Sequence, residues 1–130
     1  MKNKILIGIT FSLLISCSVA AELVCDEKQA EQGIMPAIFD CANVEIGIED
    51  KKLNIIYKEI IMLSNEKEKS FIQQSQRAWL KLIENDQQFV YLIYGQGQYA
   101  QLRTLEVYLE ALKVRVDQLK NYKSQLDIGY

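Results

Sequence analysis

The sequence predicts an all-α fold, a compact antiparallel bundle of three to four helices with a disulfide-tied N-terminal arm. Three observations carry that reading. Helix breakers are almost absent from the body of the chain, since Pro36 is the only proline and no glycine stands between Gly47 and Gly95. Leu102, Leu105, Leu109, Leu112, Val116 and Leu119 advance in steps of three and four without a miss, the mark of a helix with one buried face. Cys25 and Cys41 come after an N-terminus that reads as an export signal, so they reach an oxidising compartment where thiols pair.

The first 20 residues stand apart from the fold. Lys2 and Lys4 form a basic start, and residues 5–15 are an uncharged apolar run too short to span a bilayer. Ser18-Val19-Ala20 supplies the small residues of a cleavage site, leaving Ala21 as the new N-terminus and 21–130 as a single domain. Leu14-Ile15-Ser16-Cys17 also fits a lipoprotein signal over 1–16, with Cys17 acylated. The first reading gives a periplasmic or secreted protein and the second a membrane-anchored lipoprotein. Both leave Cys25 and Cys41 as the only pair. No other segment is apolar enough to span a membrane.

Beyond the signal, residues 26–32 suit a short helix that Gly33 and Pro36 break. This arm has little apolar surface, and a bridge between cysteines 16 positions apart ties it down for about 3 kcal/mol. Residues 44–63 place Leu53, Ile56, Tyr57, Ile60 and Leu63 on one helical stripe. Ser64-Asn65 interrupts it and offers an N-cap to the next helix, which runs from Glu66 to about Tyr94 with Ile72, Trp79, Leu82, Ile83, Val90 and Ile93 on one broad face. Gly95-Gln96-Gly97 is the clearest turn. The leucine stripe after it, about 27 Å long, is expected to pack antiparallel on the preceding helix. Burial within the chain, in place of self-association, favours a monomer. Residues 124–130 lack periodicity and are expected to fray.

Charge and composition narrow the function. Losing Lys2 and Lys4 leaves 13 basic residues against 17 acidic ones, a charge of −4. That excludes a nucleic-acid binder, which needs a basic face. The chain has no histidine, so the commonest general base and the commonest metal ligand are both missing. Glu84 and Asp86 stand two apart and point away from each other on a helix. No nucleophile–base pair, phosphate loop or metal-ligand cluster can be assembled, and no cofactor or metal is implied. The chain reads as a binding protein, not an enzyme.

The polar residues inside the apolar stretches are Asn54 and Tyr57 beside Leu53, and Gln76 three positions before Trp79. A buried amide or phenol needs a partner, so Asn54 or Tyr57 is expected to bond across the helix pair to Gln76 or to backbone while Trp79 fills the core. A surface patch of Tyr57, Gln76 and Trp79 is the alternative. Arg115, beside the last stripe, is expected to pair with a carboxylate.

Taken in order, Cys25, Cys41, Leu53-Asn54-x-x-Tyr57, Gln76-x-x-Trp79 and Arg115-x-x-x-Leu119 resemble the lysozyme inhibitor LprI-like family. The resemblance spans essentially the whole chain after the signal and implies a small helical exported domain whose partner is a protein, a lysozyme by the family's name. The chain departs from the pattern at one place. Where the family shows an aromatic-Arg-Asp stretch and two further cysteines, Leu82-Ile83-Glu84 stands here, with Gln87 and Val107 or Tyr108 at the cysteine positions. The second bridge is therefore absent. The turn Tyr94-Gly95-Gln96-Gly97-Gln98-Tyr99 is the candidate binding element, because Tyr94, Gln96, Gln98 and Tyr99 suit a sugar-binding cleft. An immunity-type or envelope-maintenance protein with another specific protein partner fits the same features.

Overall fold

The computed structural model describes residues 23–129. The export segment, with Cys17 and Ala21, lies outside them. Four helices succeed one another: α1 (Glu27–Glu31), α2 (Met35–Leu63), α3 (Glu66–Ile93) and α4 (Gln98–Ile128). No strand occurs among the described residues.

Each helix starts or stops where local chemistry dictates. Asp26 caps α1 by accepting the Gln29 N–H at 3.0 Å. Gly33, at φ +80°, closes it with N–H bonds from Gly33 to Ala30 O and from Ile34 to Gln29 O, the Schellman pattern. Pro36 does not break the arm as expected. It occupies the first turn of α2, where its missing N–H would have no partner anyway. At the next corner Asn65 and Glu68 form a full capping box, with bonds of 3.0 and 2.8 Å.

The two reversals set α3 antiparallel to α4 and α4 parallel to α2. Gln76 meets Arg115 while Gln87 meets Thr104; Asp50 meets Tyr108 while Ile60 shares a groove with Tyr122 and Leu126. The core cluster is Ile46, Leu53 and Ile60 from α2 against Leu112, Val116 and Leu119 from α4, with Ile72 and Trp79 of α3 packed on it. The leucine seam thus buries mainly against α2, not against the preceding helix. The reason lies in α2, whose residues 46, 53 and 60 repeat every seven positions and present a stripe that needs a cover. α4 is the element on which both other long helices lean.

One further expectation changes and another stands. The tail does not fray at Ser124: α4 continues to Ile128, aided by Leu126 packed on the core and a Lys123–Asp127 bridge of 2.7 Å. The Cys25–Cys41 bridge is present, with Cα atoms 4.3 Å apart. Cys41 sits inside α2, so the bridge joins the flank of α1 to a helix that is already part of the body.

Candidate functional site

The motif residues divide into two groups that the structure keeps apart. Leu53 is buried in the α2–α4 core, and Tyr57 is half-buried against it. Asn54 faces solvent and donates back to the Asp50 carbonyl at 2.9 Å, so of the two expected partners, Gln76 or backbone, it takes backbone, on its own helix and not across the pair. The second lone pair of the i−4 carbonyl is the nearer acceptor, and the stripe that buries Leu53 turns its neighbour outward.

Gln76, Trp79 and Arg115 do come together. Arg115 is 4 % exposed, and each of its nitrogens is bonded. Nε donates to Gln76 Oε1 at 3.1 Å, one terminal nitrogen to Ser75 Oγ at 3.1 Å and the other to Gln118 Oε1. The Trp79 ring lies under the guanidinium with its centroid 6.0 Å away. The expected ion pair is replaced by neutral acceptors. Burial lowers the Arg115 pKa, but from so high a value that the charge stays. A buried cation held by an amide, a hydroxyl and an aromatic face ties α3 to α4, and it is closed to any ligand.

One turn region is open. Tyr94, Gln96, Gln98 and Tyr99 are exposed at the α3–α4 reversal. Gly95 at φ +85° ends α3 with Schellman bonds, Gln96 N–H to Tyr91 O at 3.2 Å and Gly95 N–H to Leu92 O at 3.4 Å. Gln96 is itself in the left-handed region at φ +62°, and its carbonyl accepts the Tyr91 hydroxyl at 3.0 Å. The Tyr94 and Tyr99 rings meet edge to face, with centroids 5.5 Å apart at 74°. Arg103 lies over the Tyr94 ring at 5.6 Å and is paired with Glu106, whose charge raises its pKa. The sequence points to the turn and its two tyrosines. It does not reveal Tyr91, Arg103 and Glu106, which brace it; the signal is a helical one, an aromatic and a cation close to the glycines on either side.

Where the family resemblance implies a second bridge that this sequence lacks, Gln87 donates to the Thr104 carbonyl at 3.1 Å and joins α3 to α4. A hydrogen bond of this kind holds less than a covalent link.

Against this geometry, the sequence pattern of the family described as lysozyme inhibitor LprI matches residues 25–119. The chain belongs to that family. The match opens at the first bridged cysteine and closes at Leu119, the last fully buried residue of the seam, so it encloses the bridge, the Arg115 tie and the turn. No curated protein and no solved structure matches the chain. The family is one of inhibitors and implies a protein partner such as lysozyme. Among the described residues no helix is long and apolar enough to cross a membrane.

Proposed function

We propose that the protein inhibits a lysozyme without chemistry, by seating the Tyr94–Tyr99 turn in the enzyme's cleft. The observation that carries this is the braced exposure of the two tyrosines in a member of an inhibitor family. Tyrosines supply rigid contact area with few rotatable bonds, so little freedom is lost on docking. The Schellman closure and the Tyr91–Gln96 bond hold the loop's shape beforehand, which limits the ordering cost of binding. Gln96 and Gln98 offer amides of the kind that a sugar-binding cleft bonds.

The same reading puts the protein outside the cytoplasm, as a periplasmic or secreted chain cut after Ala20 or as a lipoprotein anchored through Cys17. The mass of the exported protein separates these two. Function is tested by turbidity of cell-wall fragments with purified protein and several lysozyme types. Protection at micromolar inhibitor is expected against at least one type, and no protection against any would end the proposal. An immunity or envelope role would show instead as recovery of a different, single protein from the envelope fraction.

A further inference from the structure

Beside its core face α3 carries a second, exposed seam, which meets the core at two points: Ser75 also accepts from Arg115, and Phe71 also lines the groove with Ile60 and Leu126. Phe71, Ser75, Ala78, Leu82, Asn85, Phe89 and Leu92 alternate in steps of four and three over three heptads, and all seven are exposed. Phe71, Leu82, Phe89 and Leu92 are 62, 56, 64 and 53 % exposed, and Ile93 at the edge is 58 % exposed. The stripe is about 32 Å long at 1.5 Å per residue.

Its size and pattern point to one occupant. Five large apolar side chains, each more than half open, leave on the order of 500 Å² of apolar surface, taking roughly 150–250 Å² for a whole aromatic. That lies toward the upper end of the roughly 300–600 Å² that the largest apolar patch of a monomer covers, and is more than half of the roughly 800 Å² per partner of a standard protein interface. No charged residue stands at any of the seven positions. The outer face of α2 shows what a solvent-tolerant stripe looks like: Ile48, Ile55 and Met62 are exposed at seven-residue spacing, but exposed Lys51 and Lys58 alternate with them. Two copies of that face would bring ammonium groups together.

We infer that α3 docks antiparallel against α3 of a second copy of this chain. The two-fold arrangement sets Ser75 opposite Leu92, Ala78 opposite Phe89 and Leu82 opposite Asn85 of the second copy. Small side chains then face large ones in two of the three layers, and Asn85 fixes the register as a lone polar seam residue does. Phe71 falls beyond the last layer. A parallel pair would stack Phe89 on Phe89 and leave Ala78 facing Ala78, with crowding in one layer and a void in the other. This rests on α3 alone and stands whether or not the protein inhibits a lysozyme.

Light scattering after size exclusion, on the disulfide-intact protein from micromolar to hundreds of micromolar, should show the apparent mass doubling. Leu82→Glu and Phe89→Glu should each return the monomer mass with unchanged circular dichroism, because both side chains point into solvent in the single chain. Mild oxidation of mixed Ala78→Cys and Phe89→Cys chains should cross-link them, while neither variant cross-links alone. A monomer mass throughout the range overturns the inference, as does a dimer that survives both α3 charges and is broken by Ile55→Glu on α2. Cross-linking of Ala78→Cys chains alone overturns the antiparallel pairing. A monomer whose α3 variants lose lysozyme protection would assign the face to the target, and would also overturn it.

Discussion

The Arg115 tie and the Tyr94–Tyr99 turn use nearly the same materials, an arginine, an aromatic ring and glutamine amides, to opposite ends. In the tie every nitrogen of the guanidinium is spent inside the molecule: Gln76, Ser75 and Gln118 each accept from it, and the Trp79 ring lies against it. In the turn the arginine lies over one face of the Tyr94 ring, and the tyrosines and amides stay open. The difference comes from where each lies along the helices. Arg115 sits mid-helix, beside Val116 and between Leu112 and Leu119, in the densest part of the core. The turn sits past the end of α3, where no third helix covers it. A family motif can therefore be largely internal, and the binding chemistry proposed for the turn then lies in residues outside the motif.

Arg115→Ala should do the most damage, losing about 3 kcal/mol in urea unfolding through a cavity and the orphaned acceptor of buried Gln76. Arg115→Met should recover more than half of that, because an apolar chain of similar length fills the space without a buried charge. Inhibition per folded molecule should not change in either. An Arg115→Ala protein of normal stability and lost inhibition would move the tie to the binding side of the comparison.

A Cys25→Ser, Cys41→Ser double variant should lose about 3 kcal/mol or somewhat less. Protease cuts should appear within 23–40 while far-UV circular dichroism keeps most of its helical signal, since α2 beyond Cys41 is held by α4. A cooperative loss of all helicity would show that α1 is integral to the core.

Tyr94→Ala and Tyr99→Ala should weaken inhibition at least tenfold, about 1.4 kcal/mol, with stability changed by no more than about 0.5 kcal/mol. If instead they unfold the protein and leave residual inhibition intact, the turn is structural. The smallest effect belongs to Tyr108, whose hydroxyl donates to Asp50 at 3.0 Å between α4 and α2. Burial and then the Asp50 charge push its pKa from 10.0 up to about 12. The unfolded chain loses this proton at the lower value, so stability is level below pH 10 and declines between pH 10 and about 12. Tyr108→Phe should decline less steeply than the parent through that window in pH-dependent urea midpoints, the remaining decline coming from Lys113 and Lys123, whose carboxylate partners raise their pKa.

Helix identity and boundaries are legible in the sequence because single residues decide them. Asn65 with Glu68, and Gly95, leave no other way to start and stop α3. Pro36 is ambiguous because the same residue breaks a helix from inside and starts one from its first turn; the residues after it make the choice, and the α2 stripe begins there. The partner of the α4 seam is not legible at all. Periodicity says that a face is buried, not by which helix, and both α2 and α3 offer stripes. The Arg115 partners escape for a related reason: charge assigns a guanidinium to a carboxylate, although geometry gives it amides and a hydroxyl on α3 and α4. At the turn the tyrosines are visible in sequence, but the bracing by Tyr91 and Arg103 appears only once α3 and α4 are folded back.

The placement of α4 between its two neighbours also decides the order in which the chain can acquire its structure. Synthesis releases α2 long before α4, so Ile46, Leu53 and Ile60 have nothing to pack on until the last quarter of the chain appears. The α3–α4 hairpin closes over a short turn, whereas joining α2 to α4 closes a loop of 58 residues between Asp50 and Tyr108. The slow step should therefore be the capture of α2 by a hairpin already formed. During that wait the cysteine bridge, spanning only 16 positions, is the one long-lived restraint the leading part of the chain can make by itself. It lies outside the loop that closes between α2 and α4 and leaves that search as long as before, but it keeps the first turns of α2 from wandering while the cover is still to come.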